Sequence, residues 1–322
     1  MPRSEALWTI APGEMELRPV DLASPSAGEV TVRALYSGIS RGTERLVLQG
    51  KVPASEYERM RCPLQEGAFP FPVKYGYALV GTVEDGAPDL AGRTVFVLHP
   101  HQGLANVPVS FVQPLPDGLP AKRACLAANM ETALNITWDA QLAAGQNILI
   151  IGAGVLGLLT AALAANIPKA KVTLVDVLES RSVIAGKMGA VFTLPAHAPS
   201  GQDVVIHTSA SDAGLALALD SARFEGKVVE ASWFGERKVA VPLGGAFHSQ
   251  RLQLISSQVG SVAPNHRDTW THGQRMARAL ELLRDEKFDA LITHEIAFAD
   301  APRRLPAVLG GDSSDLMTVL RY

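Results

Sequence analysis

The chain has 322 residues, 47% hydrophobic and 19% charged, a balance that fills buried cores and excludes disorder. At this length a single core has usually stopped growing, so two domains are expected. The 29 basic and 32 acidic residues leave a net charge of −3, no footprint for nucleic acid or an anionic membrane; two cysteines, Cys62 and Cys125, exclude a disulfide framework and a four-cysteine zinc module. The opening Met1-Pro2-Arg3-Ser4-Glu5 runs into no long apolar stretch, so no secretory signal is expected and a reduced, cytoplasmic setting fits.

Along residues 1–128 the pattern is one of short β-like runs, at 29–35, 78–83 and 94–98. Pro25, Gly28, Pro70, Pro72, Gly86, Pro88 and Gly92 punctuate them, which predicts a mostly antiparallel β domain. Thr43-Glu44 also reads as a helix start for 43–49. From 129 to 262 strands alternate with helices: strands at 171–175, 203–207, 227–231 and 252–259, helices at 180–188 and 213–222. Such alternation predicts a parallel sheet covered by helices. Residues 263–322 hold a helix at 273–285 and strand-like pieces at 290–294 and 316–321. They are too few to fold alone and are expected to complete the first domain.

Residues 148–165 carry no charge and have the length of a membrane span. Their internal order says otherwise: Ile148-Leu149-Ile150-Ile151 is a strand buried on both faces, Gly152-Ala153-Gly154-Val155-Leu156-Gly157 is a tight turn, and an Ala/Leu-rich helix follows until Pro168 stops it. No aromatic belt or flanking basic cluster supports insertion, so no membrane association is expected. Strand, GxGxxG and helix, with Asp176 ending the next strand, together form the dinucleotide-binding fingerprint. Gly152 permits the turn, Gly154 lets a pyrophosphate approach the backbone, and Gly157 lets the helix pack on the strand. The helix N-terminus, at Val155 and Leu156, offers N–H groups and partial positive charge to phosphates. Asp176 can accept hydrogen bonds from both ribose hydroxyls of NAD and would repel a 2′-phosphate, so NAD(H) is favoured over NADP(H). Arg181 is close enough in sequence to soften that preference, and His207 ends a strand whose carboxyl end approaches the nicotinamide, with its backbone as the expected contact.

A β-rich first half, a central NAD fold and a returning C-terminal segment together resemble the medium-chain dehydrogenase/reductase superfamily. The local carriers are 37–44 (Ser-Gly-Ile-Ser-Arg-Gly-Thr-Glu), 75–81 (Tyr-Gly-Tyr-Ala-Leu-Val-Gly) and the 152–157 loop with Asp176. The first segment is most similar to the bacteriochlorophyllide 2-hydroxyethyl dehydrogenase branch. The resemblance implies an α/β protein: a β-rich GroES-like catalytic domain (1–128 plus 263–322) and a doubly wound Rossmann NAD-binding domain (129–262). It also implies a small-molecule substrate and, through the run 253–260 as last sheet strand, a homodimer.

The departures from that family are chemical. Where its zinc enzymes place a cysteine, a histidine and a glutamate, this chain has Ser40, Tyr77 and Ala78, and 97–107 is too short for the structural zinc lobe. A serine hydroxyl and a phenol are poor zinc ligands, so no zinc is expected. Hydride transfer to a carbonyl then needs another group to meet the developing alkoxide. Tyr77 is the leading candidate; the other reading is a tyrosine packed in the wall with its hydroxyl satisfied. His99 and His101, flanking Pro100, could donate or relay a proton, or be structural. Glu131 near the third lost ligand position could orient a histidine, or be a helix-terminal acid. Ser40, Thr43 and Glu44 complete the expected lining, and a rebuilt metal site of His99, His101 and Glu131 stays open. The expected activity is zinc-independent, NAD(H)-dependent interconversion of an alcohol and a ketone or aldehyde. A quinone or enone C=C reductase and a non-catalytic NAD(H)-binding redox sensor remain as alternatives.

Overall fold

The computed structural model describes residues 3–310 and 314–322. In chain order it begins with β1 (Arg3–Ala11), β2 (Glu14–Asp21), β3 (Glu29–Gly38) and α1 (Arg41–Leu48). The short β4 (Glu66–Gly67) and β5 (Val73–Lys74) precede β6 (Leu79–Asp85), β7 (Thr94–Val97), β8 (Leu104–Pro108) and β9 (Val112–Pro114). Two helices, α2 (Ala121–Ala124) and α3 (Ala127–Ala140), lead out of this region. Then come β10 (Asn147–Ile151), α4 (Val155–Ala165), β11 (Lys171–Val175), α5 (Ser182–Lys187), β12 (Val191–Thr193) and β13 (Gln202–His207). These are followed by α6 (Asp212–Ser221), β14 (Ala222–Glu230) and β15 (Gln253–Ser256). The chain ends with α7 (His272–Leu282), β16 (Ile292–Ala297), α8 (Ala301–Gly310) and β17 (Met317–Arg321).

These elements divide into two compact units, one comprising the residues up to Ala128 together with Met276–Tyr322, the other Asn129–Arg275. In the first, a four-stranded sheet has the order β2-β1-β5-β4, and a seven-stranded sheet runs β16-β17-β3-β6-β7-β9 with β8 also on β3. The pairings of β3 with β6, β8 and β17 are antiparallel, as the β-run and turn pattern predicts. Alternate residues of these strands point inward, and Val30, Val32, Leu79, Val83, Val95, Val97 and Val107 form one core. The C-terminal segment enters this sheet through β17, with Val319 opposite Gly38. A second cluster, of Leu7, Ile39, Leu48, Ile296, Phe298, Leu305 and Leu320, brings α1 and α8 onto it.

The second unit is a six-stranded sheet in the order β12-β11-β10-β13-β14-β15, parallel throughout. The central β10 is buried from Ile148 to Ile151, which is why it reads as an unbroken apolar run. Leu149, Ile151, Val175, Val205 and Val228 pack with Leu215, Ala218 and Leu219 of α6. Among the described residues no helix is long and apolar enough to cross a membrane; the uncharged stretch at 148–165 is β10, a turn and α4.

Two expectations need correction. Strand β15 stops at Ser256, because the next residues leave the ladder to serve side chains: the Val259 and Ser261 carbonyls accept from Arg275, 2.5 and 3.2 Å away. The same bonds move the return to the first unit from 263 to Met276. The Ala263 N–H donates to Asn135 (3.1 Å) and His266 stacks on Trp138 at 4.3 Å, so 263–275 belongs with the second unit.

Candidate active and cofactor sites

The second unit places the glycine fingerprint where its spacing implies. Gly152 follows β10 at φ +109°, and a Cβ there would lie 2.8 Å from Thr208 Oγ1 and 2.9 Å from the Ser209 N. A Cβ on Gly157 would sit 1.8 Å from the Gly152 carbonyl oxygen, so α4 can start this close to the strand only with glycine there. Gly154 is different: a Cβ built on it meets no atom within 4 Å. Gly154 is the N-cap of α4, and the first i→i−4 bond of the helix is Leu158 N–H to Gly154 C=O at 2.9 Å. The N–H groups of Val155, Leu156 and Gly157 precede that bond, at the positive end of the helix. Asp176, just past β11, accepts from the Ala153 N–H (2.6 Å) and the Leu178 N–H (2.9 Å), which lock its carboxylate against the glycine turn. The open space at Gly154, the helix start and the fixed carboxylate fit a dinucleotide. Arg181, expected to reach this corner, is buried.

At the end of β13 the His207 carbonyl accepts from the Ala231 N–H at 3.0 Å, and the ring makes specific contacts of its own. The ring is 0% exposed, with Nδ1 2.6 Å from Glu230 and Nε2 2.6 Å from Ser209 Oγ. Glu230 and Ser209 were missed by sequence reasoning; it is the folded register that sets His207 opposite Glu230 at the ends of the parallel neighbours β13 and β14.

In the first unit, Ser40 caps the start of α1 and Tyr77 lies between β5 and β6. The Tyr77 phenol hydrogen-bonds the side chains of Ser40 and Thr43. Burial pushes the phenol above its ordinary range, against the pull of those two bonds, so the hydroxyl keeps its proton at neutral pH. Glu44 lies behind this cluster: Oε1 accepts from the Ser40 N–H at 2.7 Å, and Oε2 accepts from His101 Nε2 at 3.0 Å. Thus the histidine partner is Glu44. The His101 Nδ1 meets Ser37 Oγ at 2.8 Å, and Ser37 meets the Tyr322 hydroxyl at 3.0 Å. Burial also raises the Tyr322 phenol, so the chain of donors runs from Tyr322 through Ser37 to His101 and on to Glu44. Gly76, at φ +122°, lets the backbone before Tyr77 press on the His101 ring, where a Cβ would come within 2.7 Å of Nε2.

His99 is buried, with Nδ1 2.7 Å from the Pro100 carbonyl. Burial pulls its pKa down to about 4, so the ring is neutral near pH 7 and has no imidazolium proton to donate there. Glu131, in the second unit, accepts from Arg275 Nε at 3.0 Å; burial raises its carboxyl while Arg275 opposes the shift. Among the described residues no group of three or more His, Cys, Asp or Glu side chains gathers to hold a metal ion.

No family model matches the chain. An uncharacterized zinc-type alcohol dehydrogenase-like protein of Haemophilus influenzae is 31% identical over 226 residues, 65% of this chain and 61% of that relative. The 2-desacetyl-2-hydroxyethyl bacteriochlorophyllide A dehydrogenase of Cereibacter sphaeroides is 32% identical over 101 residues, 30% of this chain and 27% of the relative. The chain therefore spans less than two thirds of the length of these curated relatives. Among solved structures, a putative zinc-binding dehydrogenase of Sinorhizobium meliloti bound to NADP aligns with a TM-score of 0.80 at 19% identity, covering 100% of both chains. A short chain alcohol dehydrogenase of Escherichia coli complexed with NADH aligns at 0.79 and 16% identity, covering 99% of each. With the antiparallel unit and the parallel unit in hand, the chain has the fold of these dehydrogenases and is similar in sequence, over part of its length, to a zinc-type alcohol dehydrogenase-like protein.

Proposed function

We propose that this protein is an NAD(H)-dependent oxidoreductase that interconverts an alcohol and a ketone or aldehyde without zinc, acting on a small molecule. The observation that carries the reading is the pairing of chemistries in one chain. One unit has a glycine turn, a helix start and Asp176 suited to a dinucleotide; the other has a protonated phenol, Tyr77, bound to Ser40 and Thr43. The nicotinamide supplies or accepts the hydride when bound. Gly152, Gly154, Val155, Leu156 and Gly157 would hold the phosphates, and Asp176 would take the ribose hydroxyls. Relatives of this fold bind NADH in one case and NADP in another, so the preference for NAD(H) rests on Asp176: with its carboxylate fixed by Ala153 and Leu178, it cannot swing away from a 2′-phosphate without losing two bonds.

In carbonyl reduction the Tyr77 hydroxyl gives its proton to the oxygen that becomes the alcohol, while Ser40 and Thr43 stabilise the phenolate left behind. In alcohol oxidation the phenolate takes the proton. Unlike a thiolate or imidazole, Ser40 and Tyr77 are hydrogen-bond donors first and metal ligands poorly, which supports the zinc-free reading. Strand β15 lies at the edge of the six-stranded sheet, which supports pairing with a second copy as a homodimer. The composition supports a cytoplasmic location.

The test is NADH binding by fluorescence, followed by NADH absorbance under a panel of ketones, aldehydes and quinones. Binding with carbonyl turnover supports the proposal; tight binding without turnover favours a redox sensor, and turnover on quinones alone favours C=C reduction. Asp176→Ala is expected to weaken NADH about tenfold and to narrow the NADH/NADPH gap. An unchanged ratio overturns the cofactor argument.

A further inference from the structure

At the carboxyl end of β13 the second unit holds a hydrogen-bonded chain that runs from Glu230 through His207 to Ser209 and Ser211. Glu230 can only accept, so His207 Nδ1–H donates to it across 2.6 Å. Its other carboxylate oxygen accepts from the Ser232 N–H at 2.7 Å, which pins the acid. With the ring proton directed at Glu230, Nε2 lies 2.6 Å from the Ser209 hydroxyl, which is placed to donate inward to it. Ser211 Oγ, 2.8 Å from Ser209 Oγ, then donates to Ser209 and accepts in turn from the Gly214 N–H at 3.0 Å. The imidazole is fully buried, stacked on Phe234 at 6.2 Å, and Gly214 is needed beside it because a Cβ there would come within 2.7 Å of Nε2.

The outer end of this chain is at the cofactor turn. Ser209 is exposed, its N and Cα lie against Gly152, and the neighbouring Thr208 hydroxyl is bonded to the Gly152 carbonyl at 3.0 Å. With its proton committed to His207, the Ser209 oxygen can offer only a lone pair to a ligand. It suits a hydroxyl donor and has nothing to give a phosphate oxygen.

We propose that His207, anchored by Glu230, is a positioning residue that fixes the Ser209 hydroxyl as a hydrogen-bond acceptor for a ribose hydroxyl of the bound dinucleotide; this rests on the dinucleotide reading above. The ring acts through Ser209, so the two ring nitrogens have separable roles. In His207→Gln the side-chain amide reaches the place of Nε2 and preserves the Ser209 contact. In His207→Asn the amide reaches only the place of Nδ1, preserving Glu230 and losing Ser209.

The experiment is NADH titration by fluorescence on the full chain, with thermal melting of every variant alongside. Ser209→Ala and His207→Asn are expected to weaken NADH about tenfold, while His207→Gln stays within about threefold of the parent. A general packing role for the histidine would not separate Asn from Gln. Equal affinity of the two histidine variants, whether both weak or both parental, overturns the proposal, as does a Ser209→Ala protein that binds like the parent. Because Ser209 is exposed, its alanine variant decides the matter even where a histidine variant fails to fold. Failure of the parent to bind NADH removes the dinucleotide reading and this proposal together, and is seen before any substitution is made.

Discussion

Tyr77 shows what burial does to a single side chain. Its phenol is held above the usual range by burial and is steadied by Ser40 and Thr43, so the hydroxyl stays protonated over the whole neutral range, as the proposed donor role requires. Tyr77→Phe is expected to lower kcat for NADH-linked carbonyl reduction by about 10²- to 10⁴-fold with NADH affinity nearly unchanged, as steady-state kinetics and fluorescence titration would show. A near-parental kcat moves the donor elsewhere. His99 gives a stability prediction with a definite sign. Its folded-state pKa is about 4, below the 6.5 of the free side chain, so the unfolded chain binds more protons between those values. The stabilisation from keeping the ring neutral is complete above pH 6.5 and is lost as the pH falls toward 4. Urea denaturation across pH 4–7 should show a shallower acid decline in His99→Gln than in the parent; identical slopes would contradict it. Ser40 and Tyr77 were singled out in the chain by the resemblance of two short local segments, and the fold brings their side chains into hydrogen-bonding contact. The Glu44–His101 pair could not, because its members lie in separate segments that only the folded first unit brings to 3.0 Å.

At the level of elements, the glycines divide by what surrounds them. Gly157 faces the Gly152 carbonyl and Gly154 faces open space, so the same substitution should act through different physics. Gly157→Ala is expected to lower the melting temperature sharply or abolish folding of the second unit, since backbone must move. Gly154→Ala should melt close to the parent yet weaken NADH at least tenfold by blocking the approach to α4. Loss of stability at Gly154 with intact binding would reverse the assignment. The glycine turn, β10 and β11 were visible in sequence because a buried parallel strand and a GxGxxG turn are local patterns. The end of β15 was not, because the carbonyls of Val259 and Ser261 are claimed by Arg275 from a distant helix, an event with no local signature.

For the whole molecule, the order of strands in the six-stranded sheet leaves β15 at an edge, where Leu254 and Ile255 are only half-buried. Light scattering is expected to return twice the chain mass, and Ile255→Lys to shift it toward the monomer; a monomeric parent rejects the dimer.

Composition and periodicity alone determined that this chain builds an antiparallel β unit and a parallel α/β unit with a dinucleotide turn. Each of those features is written over a few neighbouring residues and enforced by burial and by glycine's freedom. What His207 touches, which acid serves His101, and where the chain returns at Met276 were decided only in the folded state. A buried polar group must find a partner wherever the packed backbone brings one, and the identity of that partner depends on strand order and register between segments far apart in the chain.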